Sequence, residues 1–206
     1  VEATNKTKPD LVCIAGDLVD GAVGVIGHEV ARLQGLRSTY GTAFCTGNHE
    51  YYSGVVPWLE FLRGLGIQVL ANERISVGDQ GPGGASFDLA GIHDAFAQRR
   101  QPSMAADLAG ALKGRDPDRE LVLMAHQPSQ IAMAEGQGVG LQLSGHTHGG
   151  QVWPFGVVTR MLQPYLKGHH THHDGTQIYV SCGAGYWGPP IRVGAPPEVA
   201  SIILTG

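Results

Sequence analysis

The sequence predicts a layered α/β fold, an α-β-β-α sandwich of two mixed sheets face to face with helices outside. Three observations predict it. Short apolar runs of strand length recur and end in glycine or histidine with polar neighbours; segments with apolar residues at helical spacing lie between several of them; and a glycine-rich turn joins two strand-like runs. At 206 residues and 42% hydrophobic content the chain suffices for one core, so residues 1–206 are read as a single domain.

The first apolar run, residues 11–15 (LVCIA), reads as a buried strand ending at Gly16-Asp17. Residues 28–38 place Val30, Leu33 and Leu36 at helical spacing, and residues 42–46 then form a second strand ending at Gly47-Asn48-His49-Glu50. An amphipathic helix over 58–65 leads to a strand at 67–70. Residues 75–77 and 86–92, joined by GDQGPGG, make a hairpin. Residues 93–120 are partly helical, with Met104, Leu108 and Leu112 on one face. Strands at 121–125 and 141–143 deliver His126 and Gly145-His146, and residues 177–181 and 199–204 read as the last strands.

Composition narrows the function classes. The net charge of −4 leaves no basic stripe, so specific nucleic-acid binding is not expected. Cys13, Cys45 and Cys182 are odd in number, far apart and set in apolar segments, which points to buried thiols and not to a disulfide framework. No apolar run reaches the roughly 18–20 residues that cross a bilayer, and residues 1–10 lack the apolar region of a signal peptide.

Four predicted strands end in metal-capable residues: Asp17 with Asp20, Asn48 with His49, His126, and His146 with His148. Sites on α/β sheets form beyond the carboxyl ends of strands, so these loops are expected to converge. Each motif alone is weak, but the ordered set GD-x-x-D, GNHE, His126 and GHTH is specific. The wording KPDLVCIAGDLVDG, GNHEYYSG, LSGHTHGGQVWPFG and GAGYWGPP resembles the calcineurin-like metallophosphoesterases, from Lys8 to about Leu204. Within them it is similar to a bacterial branch whose members often carry an N-terminal membrane segment or export signal.

The resemblance implies a dinuclear centre of divalent ions (Mn, Fe, Zn or Mg) and hydrolysis of phosphodiester, pyrophosphate or phosphomonoester bonds by a metal-bound hydroxide. It implies that Asp17 bridges the two ions, that Asn48, His126 and His146 complete one site, and that His148 reaches the other. On an extended turn residues i and i+2 point the same way, so the two imidazoles of His-x-His can serve adjacent ions. His49 is implied to be a catalytic acid at the leaving oxygen, with Asp20 holding its far nitrogen and favouring the charged form.

The family's first motif, Asp-x-His on the strand before residues 11–15, supplies two ligands of the second ion and occurs nowhere in this chain. The expectations are therefore an N-terminally truncated domain lacking its first strand, binding one ion better than two, or else a non-catalytic or single-metal relative. The histidines of Gly168-His169-His170-Thr171-His172-His173 read as a polar loop with adventitious metal affinity in preference to substitute ligands, and His93-Asp94 as bystanders near the cleft. The apolar stretch 152–166 after GHTH reads by default as core. The sharper expectation is a hydrophobic lip touching a membrane surface, for a phosphorylated small molecule or a phospholipid- or glycolipid-like substrate, with Tyr186-Trp187-Gly188-Pro189-Pro190 as a second wall; burial of Trp153 and Phe155 would exclude it. The parent is expected to be membrane-associated through upstream sequence or, alternatively, cytoplasmic.

Overall fold

The computed structural model describes residues 1–79 and 84–205. In chain order the elements are α1 (Glu2–Lys6), β1 (Val12–Ala15), α2 (Val23–Val30), β2 (Thr42–Cys45), α3 (Asn48–Ser53), α4 (Val55–Gly64), β3 (Gln68–Val69), β4 (Glu73–Gly78) and β5 (Ser86–Gly91). They continue with α5 (Ala97–Arg100), α6 (Leu108–Ala111), β6 (Leu121–Met124), α7 (Ile131–Ala134), β7 (Leu141–Ser144), α8 (Phe155–Leu162), β8 (Gly168–Thr171) and β9 (Gln177–Val180).

Two sheets result. β1, β2 and β3 form a small sheet that is parallel throughout. The larger sheet runs β4-β5-β6-β7-β9-β8, parallel in the middle and antiparallel at both edges, so only this one is mixed. The period of two along each strand sorts side chains between layers. Ile14 and Phe44 pack with Val30, Trp58 and Leu62 of the helices outside the small sheet. Cys13, Ala43 and Cys45 point the other way and meet Leu89, Val122 and Met124 of the large sheet. Leu121 and Leu123, on the reverse of β6, pack with Leu108 and Ile131 of α6 and α7. Three cores separate four layers, as the patterning predicts. Full burial of a side chain such as Leu62 contributes roughly 1.5–3 kcal/mol, and the three cysteines are free thiols, two of them inside these cores.

Several elements differ from the sequence reading. The helix expected over 28–38 is α2, which begins earlier, followed by a 3-10 turn at Ala31–Gly35. Gly24 and Gly27 hide its start, yet Gly27 lies where a Cβ would come within 3.4 Å of the Phe61 ring. The Asn48 loop is itself the start of a helix, α3. Met104 joins the core of the small sheet whereas Leu108 and Leu112 join that of the large one, so the three share no face. The hairpin forms as expected, its tip at 80–83 lying outside the described residues. Residues 168–171 form an edge strand and not a loop, because the backbone of β9 offers them a ladder. Residues 199–204 form no strand: among the described residues no ladder partner meets them, and Ile203 is 83% exposed. β1 is an edge strand, paired among the described residues with β2 alone.

Candidate metal centre

β1 and β2 are parallel in the small sheet and β6 and β7 in the large one, and the contact between Asp17 after β1 and His126 after β6 brings the carboxyl ends of the two pairs together. Asp17 follows β1, Asn48 and His49 follow β2, His126 follows β6, and His146 and His148 follow β7. Gly16 takes φ +81°, and a Cβ there would sit 2.7 Å from the His126 imidazole, so only glycine lets β1 and β6 end this close. Gly47 is required for a different reason: a Cβ would collide with the Asp17 carboxylate.

The structure brings Asp17, His126 and His146 together, with one ligand atom from each lying within 4.8 Å of the others. Asp17 Oδ2 is 2.9 Å from His126 Nε2, and His146 Nδ1 is 3.2 Å from that same nitrogen. His126 Nδ1 donates to the Ala15 carbonyl at 2.6 Å, which fixes the ring and turns Nε2 toward the cluster. That arrangement is the second-shell device of metal-bound histidines. Asn48 Oδ1 is buried and has no hydrogen-bond partner among the described residues. An orphaned amide oxygen is costly unless something electropositive faces it.

Electrostatics agree with a cation site. Burial opposes a charge on His126, but Asp17 and Asp94 overcome it and raise the imidazole to about 9. Burial likewise opposes ionisation of Asp17, yet the His126 charge and hydrogen bond beside it hold its carboxyl well below the usual range. Burial first, and then the charge on His126, push His146 down to about 4. Nitrogen and oxygen ligands bound at roughly 2.1 Å stand roughly 3 Å apart, which the two distances within this cluster match. The residues fit a divalent ion, with the His126 proton occupying its place.

His148 stands apart. The His-x-His turn is not extended: His146 and His148 take φ 68° and 50°, so the i, i+2 alternation of an extended segment does not apply to it. Arg192 Nη2 lies 3.1 Å from His148 Nδ1, which competes for its two hydrogens with the carbonyls of Cys182, Gly183 and Gly185. A nitrogen that accepts from a guanidinium leaves the proton of a neutral imidazole on Nε2 and no free lone pair. Burial and the Arg192 charge also push His148 down to about 4, so the ring is neutral near pH 7. Arg192 carries no motif signal and lies 44 residues further along the chain, beyond the reach of a spacing argument.

On the rim, His49 Nδ1 is 3.3 Å from Asp20 Oδ1, as expected, with Asp20 79% exposed. The His49 backbone N–H donates to Asp17 Oδ1 at 2.9 Å, and Tyr52 packs edge-on against the ring. Glu50 was missed as a functional position: it is fully buried and accepts from the backbone N–H groups of Gly47, Leu18 and Asp17 at 2.6, 2.8 and 3.1 Å. One carboxylate thus caps α3 and fastens the Asp17 loop, and a glutamate three residues after Gly47 at a strand-to-helix junction is the signal that could have revealed it. His93 and Asp94 form a buried layer behind the centre, with Tyr51 Oη 2.7 Å from His93 Nδ1 and Asp94 accepting from Gln127 at 2.9 Å.

Carboxylate, amide and imidazole side chains gathered at the ends of the parallel strands of a two-sheet sandwich make a candidate metal centre. Residues 1–150 match the calcineurin-like phosphoesterase family, and the chain belongs to it. An uncharacterised metallophosphoesterase of Helicobacter pylori is 44% identical over 99% of this chain and 53% of its own length. A transmembrane protein with metallophosphoesterase domain of Bos taurus is 39% identical over 99% of this chain and 48% of its own. The chain therefore spans about half the length of these relatives. Among solved structures, a 5'-nucleotidase precursor of Thermus thermophilus superimposes with a TM-score of 0.52 at 19% identity, covering 84% of this chain and 39% of the other. The NAD nucleotidase of Haemophilus influenzae gives 0.51 at 18% identity, covering 87% and 37%. These last two show the shared fold.

Proposed function

We propose that the chain is the metal-binding part of a phosphoesterase that hydrolyses phosphodiester, pyrophosphate or phosphomonoester bonds. The observation that carries this reading is the convergence of Asp17, His126 and His146 beside the orphaned Asn48 oxygen. These four would hold one divalent ion, of the Mn, Fe, Zn or Mg class. When bound, such an ion supplies a Lewis acid for the phosphoryl oxygens and water activated as a nucleophile. The chain's own contribution is positioning and proton handling. Glu50 keeps the Asp17 loop in place, Ala15 orients His126, and His49, braced by Asp20, gives a proton to the departing oxygen.

Arg192 favours a single tightly held ion, since His148 has no free lone pair while the guanidinium is hydrogen-bonded to it. His148 and Asp17 would serve a second ion only with ligands from elsewhere and with Arg192 displaced.

The substrate is proposed to be a phosphorylated small molecule, with a phospholipid or glycolipid headgroup favoured by the surface beside GHTH. Trp153 is 76% exposed, and Phe155, Val157, Met161 and Leu162 also face solvent on or next to α8, an amphipathic helix with no buried residue. Such a face suits contact with a bilayer surface, and the printed name of the bovine relative, a transmembrane protein, supports a membrane setting. Among the described residues no helix is long and apolar enough to cross a membrane. The test is hydrolysis of bis(p-nitrophenyl) phosphate with added manganese, and flotation with anionic vesicles. Loss of hydrolysis in His126→Ala is expected, and activity indifferent to that change overturns the centre. Flotation unaffected by Trp153→Ser with Met161→Ser overturns the membrane contact alone.

A further inference from the structure

Glu135, His172 and His173 form a second group whose ligand atoms all lie within 4.8 Å of one another. We propose that this group is a distinct divalent-cation site of the zinc class that clips the β8–β9 turn to the end of α7.

Its position follows from the sheet register. The catalytic ligands leave the carboxyl ends of β6 and β7, whereas Glu135 precedes β7 and the two histidines follow β8, which runs antiparallel to β9. Leu141 pairs with Gln177 and Thr171 pairs with Gln177, so His172 lies toward the amino end of β7, the opposite end of the strands from His146.

The geometry is that of ligands and not of a chance ion pair. His172 Nε2 is 3.0 Å and His173 Nε2 is 3.8 Å from the two different oxygens of the Glu135 carboxylate. The two imidazoles lie with centroids 4.2 Å apart, so neighbouring rings turn their Nε2 atoms to one carboxylate. His172, only 12% exposed, has its other nitrogen 2.8 Å from Tyr165 Oη. Here Nε2 donates to the Glu135 carboxylate; an ion would take the place of that proton, and the Tyr165 oxygen can then accept from Nδ1–H and hold the ring as a ligand. The turn is held in place beforehand: His172 N–H donates to Thr176 O at 2.8 Å, and Asp174 accepts from the Thr176 N–H and hydroxyl, each at 3.0 Å. Two imidazoles and a carboxylate, with solvent in the fourth position, suit zinc, cobalt or copper better than magnesium or calcium.

The clip has a route to the main site. Leu166, adjacent to Tyr165, accepts a 2.6 Å hydrogen bond from Thr147 Oγ1, and Thr147 lies between His146 and His148. An ion at Glu135 therefore steadies the segment from which the GHTH loop hangs.

The experiment is zinc titration of the full chain by calorimetry, repeated with cobalt by absorption spectroscopy. The variants are Glu135→Gln with His173→Ala, and His126→Ala with His146→Ala. The expected result is one ion fewer in the first double variant, with hydrolysis of the nitrophenyl diester retained. The second double variant should keep that ion and lose hydrolysis. Tyr165→Phe should weaken zinc at this site about tenfold. Equal stoichiometry and affinity in Glu135→Gln/His173→Ala and the unaltered chain overturn the proposal, whatever the activity shows. Glu135 and His173 are exposed whereas His126 is buried, so circular dichroism checks that both double variants fold.

Discussion

Metal binding at the Asp17 cluster should expel one proton, and that proton should come from His126. In the metal-free protein His126 donates through Nδ1 to Ala15 and through Nε2 to Asp17, and burial is outweighed by Asp17 so that the ring titrates at about 9. His146 titrates at about 4, and Asp17 lies well below the usual carboxylate range, so neither carries a proton at pH 7. The sign follows: a histidine raised above its ordinary 6.5 stabilises the metal-free fold below pH 6.5 and loses that stabilisation as pH rises through about 9. The ion competes with this proton. Its apparent affinity should rise about tenfold per pH unit below that value, hence about 100-fold or 2.7 kcal/mol from pH 6 to 8. Calorimetry in buffers of differing ionisation enthalpy, on the Glu135→Gln/His173→Ala background, reads the released proton directly. A slope of zero, or an unchanged slope in His126→Asn, would refute the assignment.

Three further outcomes are expected. His49→Ala should lower diester hydrolysis by about 10²–10⁴-fold without changing metal content, and Asp20→Asn should do so less; equal rates in His49→Ala would remove it from the mechanism. His148→Ala should leave affinity for the first ion within a few fold, and two tightly held ions at the catalytic centre of the unaltered chain would contradict the role given to Arg192. Asp88, fully buried, accepts from Arg74 at 3.1 Å, Arg119 at 3.2 Å and Ser76 at 2.7 Å. Asp88→Ala should therefore lower stability by about 3–5 kcal/mol in urea unfolding, and a loss under about 1 kcal/mol would show the cluster to be solvated.

The strand ends were legible because each short apolar run stops at a residue with a recognisable chemistry; length alone would not have sufficed, since the equally short apolar run Ile131–Ala134 is helical. Cys13 and Ile14, or Leu123 and Met124, need only the alternation of a pleated strand to be assigned to their layers. Partners distant in sequence were not legible. Nothing local ties Arg192 to His148, or Glu135 to His172, and both pairs exist only once the sheet order brings them together. Residues 199–204 show the opposite failure. Their composition fits a strand, but a strand is a property of two segments, and among the described residues the second is not there.

Backbone conformation was equally hidden, and it explains why the centre is built as it is. Asp17, His146 and His148 all adopt φ between 50° and 68°, the left-handed region that L side chains avoid. Such strain persists only where surroundings enforce it: Glu50 grips the Asp17 N–H, and the Thr147 hydroxyl is tied to Leu166. These three side chains are thus held at a conformational cost that an ion bound as proposed would offset. The test separates backbone from side chain at one position. In chelator-treated protein, His146→Gly and His146→Ala both delete the imidazole, but only alanine retains the left-handed penalty of roughly 1–2 kcal/mol. His146→Gly should be the more stable by about that amount, reversing the usual advantage of alanine over glycine. If alanine is equally or more stable, the turn relaxes without its ion and the strain is not built into the fold.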